Sequence, residues 1–332
     1  MLDLSIIIVS YNAKNILRAC LQAINCANLQ VSYEVIVVDN ASCDGSAQMV
    51  KEDFPRTVLI RNGTNNMFAK ANNQAIKMAA GKCFLLLNSD CIIERGSIET
   101  LYAFLNTNQP RVACVGPRLL NKDRTVQSEG HVFYTPWYAF CKITAASKWP
   151  LPMSLKRRIL PRGLTRFDAG HTRPVGWVTG AAMMISAKAF AEIGILDENF
   201  YFYGEDSEWC YRAWRLGYEV WVYPDSTIVH LGGMSTTAGV LQKVDQVKRA
   251  QQLYFMQRTG GAVSYCAAAL IFLLAMPVVF AVYALTRRDL RPIKGLAKHA
   301  VSVLKISLWP MRRRSSRLTT IHSPLDTSTS QN

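Results

Sequence analysis

The chain is 332 residues long, half of them apolar and 18% charged; that leaves room for one sizeable α/β domain with an appendage and excludes disordered and fibrous classes. Nine cysteines, an odd number scattered from Cys20 to Cys266, argue against a disulfide framework or a cysteine-rich zinc site and fit a reducing compartment. Of the formal net charge of +15, +8 lies in the 47 residues from Thr286 to Asn332, so the basicity is largely a tail property and points only weakly to nucleic acid. The opening segment carries Asp3 and no positive run before it, which reads as a first strand rather than a secretory signal.

Short runs rich in β-formers occur at Leu4–Val9, Glu34–Val38, Thr57–Ile60, Cys83–Leu87 and Arg111–Gly116. Helical patterns lie between them at Asn15–Cys26, Ser46–Glu52, Phe68–Ala80 and Gly96–Leu105. This alternation predicts βαβ units and a largely parallel sheet. Ligands of such sheets bind beyond the carboxyl ends of the strands, so Tyr11-Asn12, Asp39-Asn40 and Asn88-Ser89-Asp90 carry the most information. The rhythm is lost over residues 119–175. There, Lys142 to Arg173 holds eight basic residues against Asp168 alone, which reads either as a solvated excursion or as a basic surface edged by Trp137, Tyr138, Phe140 and Trp149. Further on, Ser186–Ile193, Glu205–Leu216 and Gly239–Arg258 read as helices and Glu219–Tyr223 as a strand.

Between Arg258 and Arg287 lie 28 uncharged residues whose core, 262–285, is almost wholly apolar. At 1.5 Å per residue it reaches across a ~30 Å hydrocarbon layer. The downstream basic residues favour a cytoplasmic tail, and Pro277 offers a kink for a re-entrant or inclined insertion; an ordinary single span is the alternative. The expected organisation is a catalytic domain at 1–240, a connecting helix at 241–261, a membrane-inserted segment at 262–285, a basic segment at 286–314 that binds anionic lipid, and a disordered tail at 315–332.

No phosphate-loop lysine motif or glycine-rich dinucleotide fingerprint follows the first strand. Asp39 and Asp44 bracket a turn-rich stretch; each is either a turn former or an acceptor for a base N–H or ribose hydroxyl. Asp90 either caps a helix or helps hold Mg²⁺ or Mn²⁺ beside a diphosphate. His230 is either structural or a nitrogen ligand. Glu205-Asp206 either complements a helix dipole or, dried by the aromatic run Phe200 to Tyr203, takes a proton from a hydroxyl.

In order along the chain, these residues resemble the family-2 glycosyltransferases of the GT-A fold, in particular their bacterial rhamnosyltransferase-like branch. The resemblance covers about residues 4–240. It rests on Val9-Ser10-Tyr11-Asn12, Val37 to Ser46, Asn65–Asn73, Leu86 to Asp90, Gly180-Ala181-Ala182, Asp197-Glu198 to Phe202, Gly204-Glu205-Asp206 and His230. It departs at Met67, where a glycine is usual, at Asn88, where many relatives have Asp, and at Glu208, where the branch often has Asp.

The resemblance implies an α/β GT-A fold with a mixed, mainly parallel sheet. Tyr11, Asp39, Asp44, Asn65, Asn73, Asn88 and Asp90 would sit on the donor side, and Asp90 with His230 would hold Mg²⁺ or Mn²⁺. Asp206 would be the base, with Glu205 orienting the site and Gly180 to Ala182 walling it. Implied partners are a nucleotide-sugar donor, with dTDP-rhamnose suggested by the branch, a lipid-linked or glycan acceptor and an anionic membrane surface, at the inner membrane facing the cytoplasm. Rival readings are a hexosyl or N-acetylhexosaminyl transferase using a UDP- or GDP-sugar, an inactive nucleotide-binding membrane scaffold, and nucleic-acid binding, which is not expected.

Overall fold

A computed structural model describes residues 2–143, 146, 150–160, 170–200 and 203–232, together with 255–256, 258–261, 263, 266–267 and 270. By its contacts the chain divides into Met1–Leu290 and Arg291–Asn332, and every described residue belongs to the first. The elements run β1 (Leu2–Ser10), α1 (Lys14–Ala27), β2 (Tyr33–Asp39), α2 (Ser46–Asp53), β3 (Val58–Arg61), α3 (Met67–Ile76), β4 (Gly81–Asn88), β5 (Cys91–Ile93) and α4 (Ser97–Thr107). They continue with β6 (Val112–Leu120), β7 (Val126–Ser128), α5 (Pro136–Ile143), α6 (Met153–Ile159), β8 (Arg173–Pro174), β9 (Ala182–Ser186), α7 (Ala187–Ile193), α8 (Glu205–Arg215) and β10 (Glu219–His230).

The strands form one mixed sheet in the order β3-β2-β1-β4-β9-β6-β10-β5, with β7 on β6 and β8 on β10. The first four strands are parallel and so is the β6–β10 pair, while β9 lies antiparallel between β4 and β6. The core fills both faces. Leu4, Ile6 and Ile8 of β1 pack with Leu17, Leu21 and Ile24 of α1 and Leu101 of α4, whereas Ile7 faces Ala71 and Ala75 of α3, Phe190 of α7 and Trp209 of α8. Alternate residues of one β-branched strand thus serve two helical layers, as a sheet covered on both sides requires. Burying each such side chain contributes about 1.5–3 kcal/mol. Helix α1 shows the matching period, with Leu17, Cys20, Leu21, Ile24 and Ala27 buried.

The predicted strands and helices of the first 118 residues all form, with shifted ends; α3 stops at Ile76, short of the expected Ala80. Strand β10 runs well past the expected Tyr223. A register irregularity between Tyr223 and Thr227 absorbs Pro224, and pairing then resumes through Val229. That extension carries His230 to the site. The short strands β5, β7, β8 and β9 and helices α5 and α6 were not expected. β9 reads Ala-Met-Met-Ile-Ser and is buried along its length, so it shows neither alternation nor a β-branched run.

Most of the expected connecting helix and membrane segment, and all of 286–332, lie outside the described residues. Among the described residues no helix is long and apolar enough to cross a membrane. Phe255 and Met256, at the end of the expected connecting helix, are helical and buried. Phe255 stacks on Phe133 at 5.9 Å and meets Tyr211 edge-on at 6.0 Å, and the Tyr211 hydroxyl donates to the Thr259 carbonyl at 3.1 Å.

Candidate active site

The residues expected on the donor side stand where β1, β2 and β4 end. Tyr11 follows β1 and is 44% exposed. Asp39 closes β2 and is buried; its Oδ2 accepts the Ser42 N–H at 3.1 Å, while its Oδ1 has no hydrogen-bond partner. A buried carboxylate oxygen left bare is costly unless something completes it. Asp44 differs. Its Oδ2 accepts the Lys14 N–H at 2.8 Å and its Oδ1 accepts from the Ser46 N–H at 3.0 Å and hydroxyl at 2.5 Å. Burial works to raise its pKa, but these bonds outweigh it and hold the carboxyl below its ordinary range. Asp44 therefore ties the starts of α1 and α2 together.

Asn65 accepts the Met67 N–H at 2.9 Å, turning the chain into α3. Asn73 is buried in α3. Its Nδ2 donates to the Leu196 carbonyl at 2.9 Å and to Glu198 at 3.0 Å, and its Oδ1 accepts the Leu196 N–H at 3.1 Å. It thereby braces the loop that precedes α8. Asn40 had no separate role in the sequence reading. It is buried, donates to the Met67 carbonyl at 3.2 Å and accepts from Asn62 at 2.8 Å, so it moulds the loop beside Asp39. Asn12, Ala41, Met67 and Tyr203 are non-glycine residues with φ of 49°, 64°, 60° and 69°. Such conformations cluster where surrounding structure enforces them at functional sites.

Asp90 sits between β4 and β5, and the antiparallel pairing of β5 with β10 puts His230 opposite Cys91. His230 Nε2 lies 3.2 Å from Asp90 Oδ1 and 3.3 Å from Asn88 Nδ2. Asp90, Cys91 and His230 offer ligand atoms within 4.8 Å of one another. Burial pushes the Cys91 thiol well above its ordinary pKa, and the thiol donates to the Ala181 carbonyl at 3.2 Å. It stays protonated and is a poor ligand for a hard cation. The fitting set is therefore Asp90, whose buried Oδ1 has no hydrogen-bond partner, and His230. One carboxylate and one imidazole suit Mg²⁺ or Mn²⁺ when a diphosphate supplies further oxygens.

The Glu205–Asp206 pair, expected on the acceptor side, opens α8 behind Gly204, whose φ of 106° suits glycine. Both acids are buried. Asp206 Oδ2 accepts the Gly180 N–H at 3.0 Å and Oδ1 accepts the Ser207 N–H at 2.7 Å. Glu205 Oε2 has no partner. Burial, reinforced by the charge of Asp206, pushes the Glu205 pKa up to about 8. Burial also raises Asp206, but its backbone hydrogen bonds oppose the shift. The first proton of the pair therefore resides on Glu205, and Asp206 keeps a lone pair available. Glu208 takes Arg212 through both carboxylate oxygens, at 2.9 and 3.0 Å from Nε, and Arg212 also donates to the Ile193 and Ile195 carbonyls, each at 2.6 Å.

One turn joins the two halves. Gly180 holds Asp206 through its N–H, and the next residue, Ala181, accepts the Asn88 N–H at 2.9 Å through its carbonyl. Successive backbone groups thus fix Asp206 beside the Asn88–Asp90 turn. A Cβ on Gly180 would lie 3.1 Å from the Phe68 ring and 3.8 Å from Asp206 Cβ, so the turn leaves little room for a side chain. Tyr203 feels both halves: partial desolvation and then the charges of Glu205, Asp90 and Asp206 raise the pKa of its hydroxyl.

The family model described as Glycosyl transferase family 2 matches residues 5–175. The chain belongs to that family. It is 29% identical over 220 residues to the low-salt glycan biosynthesis hexosyltransferase Agl10 of Haloferax volcanii, covering 64% of this chain and 62% of that one. It is 23% identical over 270 residues to the N-acetylglucosaminyl-diphospho-decaprenol L-rhamnosyltransferase of Mycobacterium tuberculosis, covering 78% of this chain and 85% of that one. Among solved structures, the mannosyltransferase PcManGT of Pyrobaculum calidifontis, in complex with GDP-Man and Mn²⁺, aligns over 93% of this chain and 90% of its own with a TM-score of 0.55 at 16% identity. That likeness establishes a GT-A-like fold for this family-2 member.

Proposed function

We propose that the protein is a metal-dependent inverting glycosyltransferase that moves rhamnose from dTDP-rhamnose onto a hydroxyl of a lipid-linked or cell-surface glycan. The observation that carries the reaction class is the 180–181 turn, which holds a proton-accepting carboxylate beside a carboxylate–imidazole pair. The rhamnosyl donor is supported by the name of the mycobacterial relative.

In this reading the bare oxygen of Asp39 accepts from the nucleoside and Tyr11 lies against it. Asp90 and His230 would hold the divalent ion, which when bound supplies positive charge to the departing diphosphate. Asp206 takes the proton of the acceptor hydroxyl as that oxygen bonds to the anomeric carbon, while the bond from that carbon to the diphosphate oxygen breaks on the opposite face. The anomeric configuration inverts and no covalent glycosyl-enzyme forms. Neutral Glu205 leaves the proton-accepting role to its neighbour.

The acceptor's lipid and the inner-membrane location rest on the apolar 262–285 segment and the basic stretch after it. With the domain on the cytoplasmic face, the donor arrives from solution and the acceptor by surface diffusion. A hexosyl or N-acetylhexosaminyl donor is the second reading, its hexosyl form favoured by the name of the Haloferax relative.

The test incubates membranes containing the protein with a panel of nucleotide sugars and lipid-linked acceptors, followed by mass and linkage analysis. Turnover of dTDP-rhamnose, lost with EDTA and restored by Mn²⁺, is the expected result. Selective turnover of a UDP-hexose would reject rhamnosyl transfer.

A further inference from the structure

Gln127 lies outside every motif described above, on the exposed strand β7, yet its amide contacts His230 twice. Its Oε1 is 2.6 Å from His230 Nδ1, and its Nε2 donates to the His230 carbonyl at 3.1 Å. The same Nε2 donates to Asn121 Oδ1 at 2.9 Å. Asn121 Nδ2 donates to Thr125 Oγ1 at 2.9 Å, and Thr125 Oγ1 donates to Asp123 Oδ1 at 2.6 Å.

Donor and acceptor roles leave this chain one direction. Asp123 is ionised, its carboxyl held below the ordinary range by the Thr125 hydroxyl and N–H, so it can only accept. Thr125 must then donate to it and accept from the Asn121 amide nitrogen. That leaves Asn121 Oδ1 to accept from Gln127 Nε2, a direction that the His230 carbonyl, itself only an acceptor, also demands. Gln127 Oε1 therefore faces the ring, and only a protonated Nδ1 satisfies it at that distance. When the imidazole carries a single proton, it is on Nδ1, and the lone pair is on Nε2, which lies 3.2 Å from Asp90 Oδ1 and 3.3 Å from the Asn88 amide nitrogen, a donor.

We propose that Gln127, oriented by the Asn121–Thr125 turn of the β6–β7 hairpin, is a positioning residue that fixes the tautomer and ring orientation of His230 so that Nε2 is the metal-ligating atom. The inference rests on the metal-dependent reading above. A neutral Nε2 beside Asp90 Oδ1 at 3.2 Å places two electron-pair donors face to face, which is favourable when a cation is shared between them. Partners that orient a ligating histidine in this way typically change metal affinity about 10- to 100-fold when removed.

The experiment compares wild type, Gln127→Leu, Gln127→Glu and His230→Ala. Mn²⁺ binding is followed by electron paramagnetic resonance with dTDP or UDP present, and the His230 tautomer by ¹⁵N NMR of histidine-labelled, metal-free protein at pH 8, above the ordinary imidazole pKa. Gln127 is exposed, and matching thermal melts will confirm that its variants fold. Gln127→Leu is expected to weaken Mn²⁺ binding about 10- to 100-fold and to release the ring to a mixture of tautomers. Gln127→Glu, whose carboxylate still accepts from Nδ1–H, should keep the Nδ1–H tautomer and most of the affinity. Unchanged Mn²⁺ affinity in Gln127→Leu, or a wild-type ring protonated at Nε2, overturns the proposal. Mn²⁺ binding undiminished in His230→Ala would instead overturn the metal reading, while the tautomer signal still decides the role of Gln127.

Discussion

At the ends of β2 and β4, Asp39, Asp44 and Asp90 stand singly; at the start of α8, two acids share one buried turn. Asp44 has both oxygens bonded and its proton held weakly. Glu205 shows the opposite, with one oxygen bare and its proton held tightly. The difference follows from environment rather than residue type. Hydrogen bonds in its turn keep the Asp44 carboxylate charged, whereas burial with one oxygen unpartnered keeps the proton on Glu205.

The sharpest way to break this contrast is Asp206→Asn. In the proposed mechanism the substitution removes the base, so transfer should fall roughly 10²- to 10⁴-fold while nucleotide binding, measured by calorimetry, stays near wild type. If transfer persists at the wild-type rate, proton removal does not belong to the α8 pair.

Asn73 links the two sides, and its loss tests whether they are independent. Asn73→Ala strips partners from both the N–H and the carbonyl of buried Leu196. Urea unfolding should show a loss of about 2 kcal/mol. Because Leu196 leads into the loop before α8, KM for the acceptor should rise more than that for the donor. A larger rise for the donor would return Asn73 to the nucleotide site, where the family resemblance placed it.

The same division explains what could be read from the sequence. The donor half is a succession of apolar strands, each ending in a polar turn, and both features are local: Asp39 and Asp90 were identifiable from where they stand in that rhythm. His230 was identifiable by residue type, but not its delivery, because the extension of β10 depends on a bulge that swallows Pro224 and on pairing with the three-residue strand β5. Asn73 sits in a motif that reads as donor-binding, and only its contacts with Leu196, 123 positions away, reveal a bracing role. Gln127 carried no signal at all. It lies in the stretch where the periodic pattern fails, and its orientation is set by neighbours two to six residues away whose side chains are ordinary turn formers.

A milder probe of the acceptor side uses pH. The folded pKa of Glu205 is raised above its ordinary 4.5 to about 8. Below pH 4.5 the group is protonated in both folded and unfolded states. As pH rises from there toward 8, the unfolded chain releases the proton while the folded one keeps it, so the contribution to stability declines and is lost above the folded value. Glu205→Gln removes this dependence. Its melting temperature relative to wild type should climb across that window and level off above it. A difference that stays flat with pH would mean that the proton of the pair is not on Glu205.

The smallest expected effect belongs to Met67, on the donor side. Its φ of 60° places an unbranched but bulky residue in the left-handed region, where side chains other than glycine lose roughly 1–2 kcal/mol. Asn40 and Asn65 enforce that conformation by bonding the Met67 carbonyl and N–H. Met67→Gly relieves the strain but enlarges the conformational freedom of the unfolded chain, which costs about 0.5–1 kcal/mol. The net gain should therefore lie between about 0 and 1.5 kcal/mol, read as a small rise in the urea midpoint with an unchanged slope. A clear destabilisation would show that the methionine side chain packs for stability. A gain accompanied by weaker nucleotide binding would show that the strained loop is held for the donor.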